Sequence, residues 1–277
     1  MEVIRSISEL RGRLKNEPEV ACVPTMGNIH DGHLSLVKIA QQHAPLTVTT
    51  IFVNRLQFGQ GEDFDTYPRT FEEDCAKLKA AGNSIVFAPD EKEMYPEAQL
   101  FFVDPPKSAN RLEGRFRPGH FRGVATVVVK LFNIVQPQVA VFGKKDYQQL
   151  AVVRHMVDQL ALPVHIIPAE TVRAEDGLAL SSRNRFLSPE ERKEATRLRQ
   201  AIVQVKDALE SGDRKLEAIE YAAGALLARH GWHVDYVVVR SQRALLHPGP
   251  QDKELVVLGA AKLGTTRLID NLEILAP

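Results

Sequence analysis

The fold of this chain is decided by residues 20–37, whose sequence is VACVPTMGNIHDGHLSLV. The apolar run at 20–23 predicts a buried strand, and the spacing of the apolar residues over 34–40 predicts a helix packed on a sheet. Gly27 allows the backbone to turn tightly between them, and Gly32 allows a ligand to approach the main chain closely. The stretch therefore predicts a strand, a glycine-containing turn and the start of a helix.

Two histidines lie at the start of this predicted helix. His30 and His33 are three residues apart, so they share one face of the first turn. Free backbone N–H groups and the positive end of the helix dipole favour a phosphate at the same place. The simpler alternative is a strand-to-helix turn with two surface histidines. A metal site is a third interpretation, but a metal needs more ligands than this turn supplies.

Composition argues against several classes of protein. The 277 residues include 35 basic and 35 acidic side chains, whereas nucleic-acid binders usually carry a basic excess. No apolar run approaches the roughly 20 residues of a membrane span, and the first residues lack the layout of a signal peptide. Two cysteines are too few for a disulfide framework and indicate a reducing compartment. We therefore expect a cytoplasmic protein with small-molecule substrates, no nucleic-acid partner and no membrane association.

Strand and helix patterns alternate up to about residue 175. We predict one amphipathic helix over 1–18, strands at 46–53, 84–88, 100–103, 139–142 and 164–168, and helices at 71–81, 123–135 and 144–160. Such alternation implies an α/β fold, a Rossmann-like parallel sheet with helices on both faces. Ligands then bind at the carboxyl ends of the strands.

The pattern changes near residue 175. Ser188, Pro189 and Glu191 have the spacing of an N-cap, a first-turn proline and a capping box. A second helix is predicted over 216–229, with strands around 234–239, 255–258 and 267–274. We therefore predict a catalytic domain over 1–175 and a small α+β C-terminal domain over 176–277 that covers the active site.

Polar side chains follow two of the predicted strands. Asn54 and Gln57 follow the strand at 46–53, and neutral amides can bind a carboxylate and hydroxyls without forming an ion pair. The alternative is a pair of loop amides that satisfy their own backbone.

A glycine and two lysines follow the strand at 139–142. Gly143 and Lys144 lie at a strand-to-helix turn that suits the ribose and phosphates of a nucleotide, and Lys145 and Gln149 are four residues apart on one helix face. The alternative is a helix N-terminus with a solvated lysine pair.

Two motifs resemble those of one enzyme superfamily. The G-x-x-H-x-G-H pattern from Gly27 to His33 resembles the "HIGH" signature of the adenylate-forming nucleotidyltransferases. The segment Leu180, Ser181, Ser182 and Arg183 resembles their "KMSKS" loop, and its hydroxyls and guanidinium can hold a triphosphate. The two motifs together, in this order, indicate ATP.

Within this superfamily the chain is similar to the pantoate–β-alanine ligase family. The matching segments are 24–33, 52–54 with 57–58, 67–69, 117–121, 142–149, 176–184, 234–236 and 266–271. They span nearly the whole chain in family order. One departure is Arg55, where the family usually has proline, and we expect it to loosen the pantoate-binding loop.

The resemblance implies a two-step, ATP-dependent ligase. ATP and pantoate react, with Mg2+, to give pantoyl-adenylate and pyrophosphate. The amine of β-alanine then attacks the adenylate and releases pantothenate and AMP. The resemblance also implies a homodimer through the N-terminal domain, and it leaves the Mg2+ ligands unassigned.

The resemblance further implies the site residues. Gln57 binds pantoate and then β-alanine, Gln149 binds pantoate, and Asn54 supports them. The catalytic residues are His30, His33 and Lys145, and we expect His33 to act mainly electrostatically because the pantoate carboxylate needs no base. The ATP site comprises Met26, Gly27, Asn28, Ile29, His30, Asp31, Gly32, His33, Gly143, Lys144, Lys145, Asp146, Val172, Leu180, Ser181, Ser182 and Arg183.

Two other functions share some of these motifs. A nucleotidyltransferase that transfers AMP to a phosphorylated acceptor has the histidine turn and the serine–arginine loop, but it does not need the neutral amides of Asn54, Gln57 and Gln149. A nucleotide-sensing module without catalysis is the second alternative. Pantoate-dependent and β-alanine-dependent release of AMP separates the ligase from both.

Overall fold

The structure is a computed structural model that describes every residue from 1 to 277. The chain divides into two compact units, of which the first comprises residues 1–143 and 152–170 and the second comprises residues 144–151 and 171–277. The domain limits at 1–175 and 176–277, and the covering role of the C-terminal domain, stay predictions. None of the helices has the length and the apolar composition that crossing a bilayer requires.

The first unit is built on a six-stranded sheet. Its strands are β1 (Glu2–Ile4), β2 (Val20–Thr25), β3 (Leu46–Ile51), β4 (Ile85–Phe87), β5 (Val139–Gly143) and β6 (His165–Ala169). They lie in the order β1-β4-β3-β2-β5-β6, and every neighbouring pair is parallel. Thr25 pairs with Ile51, so the turns that follow β2 and β3 leave the sheet side by side. The predicted Rossmann-like parallel sheet is confirmed.

Seven helices belong wholly or partly to this unit. They are α1 (Ile7–Leu14), α2 (Asp31–His43), α3 (Phe71–Ala80), α4 (Glu91–Met94), α5 (Glu113–Phe116), α6 (His120–Val135) and α7 (Tyr147–Gln159), the last of which begins in the second unit. The predicted helices on both faces of the sheet are confirmed. Fully buried Val23, Val37 and Leu78 join β2, α2 and α3 in one core.

Three predicted elements of this unit are wrong. Residues 1–18 do not form one helix, because Glu2–Ile4 pairs with β4 and Ser6 caps a shorter helix that begins at Ile7. Residues 100–103 form no strand, since the N–H of Val103 donates to the Thr126 hydroxyl at 3.1 Å rather than to another strand. The helix predicted from residue 144 begins at Tyr147, after a 3₁₀ turn over Lys144–Asp146.

The second unit combines a small antiparallel sheet with helices. Its strands are β7 (His233–Ser241), β8 (Glu254–Leu263) and β9 (Thr266–Leu275), in that order, and its helices are α8 (Pro189–Glu194), α9 (Thr196–Glu210) and α10 (Leu216–Arg229). Leu198 and Ile202 of α9 pack with Leu255 and Val257 of β8 in its core. The predicted α+β architecture and the capping box at Ser188 are confirmed.

Candidate active site

The turn after β2 requires a glycine. Gly27 has φ +86°, and a Cβ there would lie 3.0 Å from Asp74 Oδ2 and 3.1 Å from Ile51 Cγ2. A side chain would therefore be strained in its backbone and too close to buried Asp74 and partly buried Ile51. This close approach brings the turn onto α3, which supplies Asp74.

Asp74 fixes the same turn through its carboxylate. Its two oxygens accept from the N–H groups of Asn28 and Ile29 at 2.8 and 2.7 Å, and its side chain is 1% exposed. Lys77, one turn later on α3, donates to the carbonyl of Ile29 at 2.8 Å. Asn28 and Ile29 precede α2, and their N–H groups are not available to a ligand because a buried carboxylate already accepts from them. The phosphate site at the start of α2 itself stays a prediction.

His30 and His33 form a stacked pair at the start of α2. Their ring centroids are 4.0 Å apart with an interplanar angle of 29°. His30 Nδ1 accepts from the N–H of Gly32 at 3.1 Å, and His33 Nδ1 accepts from the N–H of His30 at 3.4 Å. Each Nδ1 is thus directed at a backbone N–H, and Nε2 is the ring nitrogen that remains for other contacts. The role of both histidines as donors to anionic oxygens stays a prediction.

Asn54 and Gln57 lie in a buried hydrogen-bond network beside this turn. Asn54 Nδ2 donates to Gln57 Oε1 at 3.2 Å and to the carbonyl of Gly123 at 3.1 Å, while the Tyr95 hydroxyl donates to Asn54 Oδ1 at 2.8 Å. Burial, and then the charge of Glu91, raise the pKa of Tyr95, so the hydroxyl stays protonated and donates. All polar atoms of the Asn54 side chain are thus used to orient Gln57.

Gln57 also contacts the histidine turn directly. Its Nε2 lies 3.1 Å from the sulfur of Met26, and its side chain is buried. The 3₁₀ turn Arg55–Gln57 packs tightly on α6, since a Cβ on Gly123 would lie 2.2 Å from the carbonyl oxygen of Leu56. Met26 and Gln57, two predicted site residues from neighbouring strand ends, are brought together.

His120 holds the backbone of Gln57. Its Nδ1 donates to the Gln57 carbonyl at 2.8 Å, and its Nε2 accepts from Arg117 at 3.2 Å. Burial, reinforced by the charge of Arg117, lowers the pKa of His120 to about 4. This histidine is therefore neutral at physiological pH, with its proton on Nδ1.

An ion pair joins Arg117 to the loop after Gln57. Arg117 Nε and Nη2 donate to the two carboxylate oxygens of Glu62 at 2.9 and 2.7 Å. Burial alone would raise the pKa of Glu62, but the hydrogen bonds and charge of Arg117 outweigh burial and lower it. The segments around Glu62 and His120 are thus fastened to each other next to Gln57.

Arg55, the departure from the family pattern, makes contacts of its own. Its Nε lies 3.0 Å from the Glu91 carboxylate, and its guanidinium carbon lies 4.0 Å from the centroid of the Phe64 ring. Both charged side chains are about half exposed. The expectation that Arg55 loosens the loop stays a prediction, although these contacts oppose it.

In the second unit, strand β9 holds the turn Lys144–Asp146. Asn271 Nδ2 donates to the carbonyls of Lys144 and Lys145 at 2.8 and 2.9 Å. The Glu273 carboxylate accepts from Lys144 Nζ at 2.6 Å and from the Tyr147 hydroxyl at 2.8 Å. Lys144 is therefore engaged in a partly buried ion pair, whereas Lys145 Nζ lies 3.8 Å from its neighbour Asp146.

The predicted ATP-binding segments around Val172 and Leu180 lie side by side in the second unit. The N–H of Leu180 donates to the carbonyl of Val172 at 3.0 Å. The Ser181 hydroxyl accepts from the N–H of Arg183 at 3.3 Å, and this bond caps the 3₁₀ turn Ser182–Phe186. The serine–arginine loop is therefore a defined turn that follows a short hairpin.

Several residues that shape these sites were not identified from the sequence. Asp74 is one of three acidic residues in the first turn of α3, so only the fold distinguishes it from Glu72 and Glu73. His120 and Asn271 lie in segments that match the family, which was the available signal, but no role was assigned to them. Nothing in the sequence around Tyr95 indicated a role at the site.

Comparison with known proteins identifies the family. A profile of the pantoate-beta-alanine ligase family matches residues 2–273. The chain belongs to the pantoate–β-alanine ligase family. The pantothenate synthetase of Nitrosospira multiformis is 59% identical over 274 residues, which cover 99% of this chain and 98% of that protein. The resemblance stated from the sequence is thus confirmed.

Solved structures of this ligase family share the fold. The crystal structure of a pantothenate synthetase from Thermus thermophilus matches with a TM-score of 0.95 at 44% identity, and it covers 100% of both chains. The pantoate-beta-alanine ligase of Francisella tularensis, complexed with beta-gamma ATP and beta-alanine, matches with a TM-score of 0.77 at 30% identity. That match covers 99% of this chain and 97% of the other.

Proposed function

We propose that this chain condenses pantoate with β-alanine to give pantothenate, with cleavage of ATP to AMP and pyrophosphate through a pantoyl-adenylate intermediate. Membership of the ligase family supports the reaction. The observation that carries the proposal is the contact of Gln57 with Met26, which puts a neutral amide beside the histidine turn. An acceptor that carries a phosphate would favour cations there, whereas a hydroxy acid and an amino acid are well matched by amides.

In the first step, a carboxylate oxygen of pantoate attacks the α-phosphorus of ATP. The new P–O bond forms as the bond to pyrophosphate breaks, and the carboxylate attacks without losing a proton. Lys145, His30 and His33 stabilise the negative charge that moves onto the phosphates, because fixed donors in a partly dehydrated site are effective against developing charge. Alignment of carboxylate and phosphate supplies much of the acceleration.

In the second step, the amine of β-alanine attacks the acyl carbon of the adenylate. The C–N bond forms as the bond to AMP breaks, and the surplus proton of the amine passes to solvent water. Gln57 binds pantoate and then β-alanine, Gln149 binds pantoate, and Asn54 acts through Gln57. The hydrogen bonds from Tyr95, Gly123 and His120 support these roles, because they fix the Asn54 and Gln57 side chains and backbone before substrate arrives.

The remaining predicted ATP-binding residues keep their roles in this proposal. Met26 to His33, Gly143, Lys144 to Asp146, Val172 and Leu180 to Arg183 are the residues that bind the nucleotide in this proposal. The well-defined turns on which these residues lie support the assignment.

We propose that Mg2+ enters with ATP as its phosphate complex. The structure contains no group of three or more His, Cys, Asp or Glu side chains placed to hold a metal ion. Mg2+ in enzymes often keeps several waters and binds substrate phosphates rather than a cage of protein ligands. The triphosphate would then supply its principal ligands, and the bound ion would neutralise negative charge on the phosphates.

We also propose a homodimer through the first unit and a cytoplasmic location, which the two free thiols support. Leu100 and Phe101 are 81% and 88% exposed, next to a groove of about 700 Å³ whose lining includes Leu56, Tyr95 and Pro96. The lining of this groove also includes the charged residues Arg55, Glu91 and Lys92. The proposed twofold contact rests on the exposed apolar pair Leu100 and Phe101 beside it. Sedimentation equilibrium should give a dimer for the native chain and a monomer for Phe101→Asp. Tyr221→Asp, at an exposed aromatic of the second unit, is the control.

Pyrophosphate exchange tests the proposed intermediate. Labelled pyrophosphate should enter ATP when pantoate is present and β-alanine is absent, because adenylate formation is reversible. Net AMP release should then require β-alanine as well. Exchange that needs β-alanine would exclude a free-standing adenylate step. Exchange with a phosphorylated acceptor in place of pantoate would favour the nucleotidyltransferase alternative.

A further inference from the structure

One edge of the small sheet in the second unit is turned toward predicted ATP-binding segments. Strand β9 pairs with β8 along its whole length, from Thr266 to Leu275, and with no other strand. Backbone groups make this pairing, so the side chains of Asp270, Asn271 and Glu273 are available for other contacts. They bind two other segments instead.

Asn271 serves the turn Lys144–Asp146. It is 6% exposed, and both hydrogens of its amide nitrogen are donated, one to the carbonyl of Lys144 and one to that of Lys145. A three-residue 3₁₀ turn holds itself together weakly. The amide of Asn271 thus fixes the backbone from which Lys145 projects.

Asp270 serves the segment that contains Val172. Its buried carboxylate accepts two bonds from the Arg173 guanidinium, both at 2.8 Å. The same guanidinium donates to the carbonyls of Gly177 and Asn271 at 3.1 and 3.3 Å. The N–H of Asn271 in turn donates to Asp270 at 2.7 Å. Two adjacent residues of β9 therefore bind two segments that are far apart in sequence.

We propose that Asp270 and Asn271 are positioning residues that align the Lys144–Asp146 turn and the Val172–Arg173 segment for ATP. Asn271 acts through Lys145, and Asp270 acts through Arg173 and its neighbour Val172. The proposal rests on the proposed function, in which Lys145 and Val172 belong to the ATP site. It also gives a role to the family-matching segment at 266–271.

Asn271→Asp is the sharpest test. The substitution keeps the size of the side chain but turns a donor of two hydrogen bonds into a charged acceptor that faces two carbonyls. The KM for ATP should rise tenfold or more, while the KM for β-alanine changes less than about twofold. If Asn271→Asp does not fold, Asn271→Ser, which keeps one donor, should show a smaller rise. An unchanged KM for ATP in a folded variant, with only a lower melting temperature, overturns the proposal.

A double-substitution cycle tests whether Asn271 acts through Lys145. In a Lys145→Ala background, Asn271→Asp should raise the KM for ATP by less than about twofold, because the group that it positions is gone. Independent, multiplicative effects of the two substitutions would contradict a positioning role.

Asp235→Asn is the matched control in the same sheet. Asp235 is buried and pairs with Arg267 of β9 at 2.6 Å, but it does not contact the Lys144–Asp146 turn. It should lower the melting temperature and leave the KM for ATP unchanged. A rise in KM equal to that of Asn271→Asp would mean that general loosening of the sheet is the cause, and would contradict the proposal.

Failure of the proposed function is distinguishable from failure of this inference. If the native chain releases no AMP with pantoate and β-alanine, the proposed function fails. ATP binding by calorimetry then tests the inference directly, because Asn271→Asp should still bind ATP tenfold or more weakly than the native chain. Equal binding would overturn it.

Discussion

The turn after β2 and the turn after β5 are both predicted to bind ATP, but the fold holds them in opposite ways. The first is held by its N–H groups, which donate to the carboxylate of Asp74. The second is held by its carbonyl groups, which accept from the amide of Asn271. In the proposed ATP complex, the N–H groups of Asn28 and Ile29 are not available to a phosphate, and the proposal gives that role to the side chains of His30 and His33. At the second turn the carbonyls of Lys144 and Lys145 are occupied by the amide of Asn271. In the proposal, the ammonium group of Lys145 then binds the phosphates.

The difference shows that a strand-to-helix turn is not an anion site by its position alone. The buried carboxylate of Asp74 is negatively charged, as a phosphate is. It therefore reduces the attraction of the nearby helix start for anions. The histidine side chains have to compensate for this. Four groups of substitutions break or sharpen the contrast, from the largest expected effect to the smallest.

Asp74→Ala should break the first turn. It leaves the buried N–H groups of Asn28 and Ile29 without an acceptor, and each such group costs about 1 to 3 kcal/mol. Urea denaturation should show a loss of about 4 kcal/mol in the free energy of unfolding. Glu73→Ala, at an exposed neighbour on the same helix, should change it by less than about 0.5 kcal/mol. Equal losses for the two variants would show that Asp74 does not hold the turn.

Glycine-to-alanine substitutions should destabilise the first turn much more than the second. Gly27→Ala combines a positive φ with contacts of 3.0 and 3.1 Å to Asp74 and Ile51, and should cost about 3 kcal/mol. A Cβ on Gly143 would meet only Leu36, at 3.9 Å, so Gly143→Ala should cost less than about 0.5 kcal/mol. Thermal unfolding of the two variants measures the difference. Similar losses of stability would contradict the claim that only the first turn has no room for a Cβ.

Acid should loosen the half of the site that contains Gln57. The pKa of His120 is about 4 in the folded chain, below the ordinary value of 6.5, so the unfolded chain binds the proton more readily. The stabilisation that neutral His120 gives the folded chain is complete above pH 6.5 and is lost as the pH falls toward 4. The free energy of unfolding should therefore fall by about 2 kcal/mol between pH 7 and pH 5 from this group. His120→Gln should remove that part of the pH dependence of unfolding. An unchanged pH dependence would mean that His120 is not the titrating group.

The exposed pair Arg55–Glu91 should contribute least. Both side chains are more than half exposed, at 56% and 53%, and solvent screens such pairs. Arg55→Ala should therefore lower the free energy of unfolding by less than about 1 kcal/mol. Arg55→Pro, which introduces the residue usual in the family, tests the loop instead. If its KM for pantoate is lower than that of the native chain, Arg55 does loosen the pantoate loop.

The sequence was informative wherever a local pattern carried the signal. The apolar runs predicted β2, β3 and β5, and the glycine and histidines of 27–33 predicted the turn and the start of α2. Residues 1–18 misled because Ile4, Ile7 and Leu10 have helical spacing, although Ile4 is buried in a strand by pairing with β4. Tertiary pairing outweighed the local period there.

The supports of the two turns could not be predicted, because nothing local marks them. Asp74 is separated from Asn28 by 46 positions, and Asn271 is separated from Lys144 by 127. Asparagine in a strand and aspartate at a helix start are ordinary surface residues in most sequences. Only the folded chain shows that these two side chains are buried and what they bind.

The same separations have a consequence for synthesis on the ribosome. The chain emerges from its amino end at about 5 to 20 residues per second, so Asp74 follows the first turn within seconds. The amide that holds the turn at Lys144 belongs to β9, which is made 127 positions later. A nascent chain can thus complete its histidine turn early, while the lysine turn waits for the small sheet. Ribosome-bound chains stalled before β9 should resist protease around Gly27 and remain open to cleavage at Lys144 and Lys145.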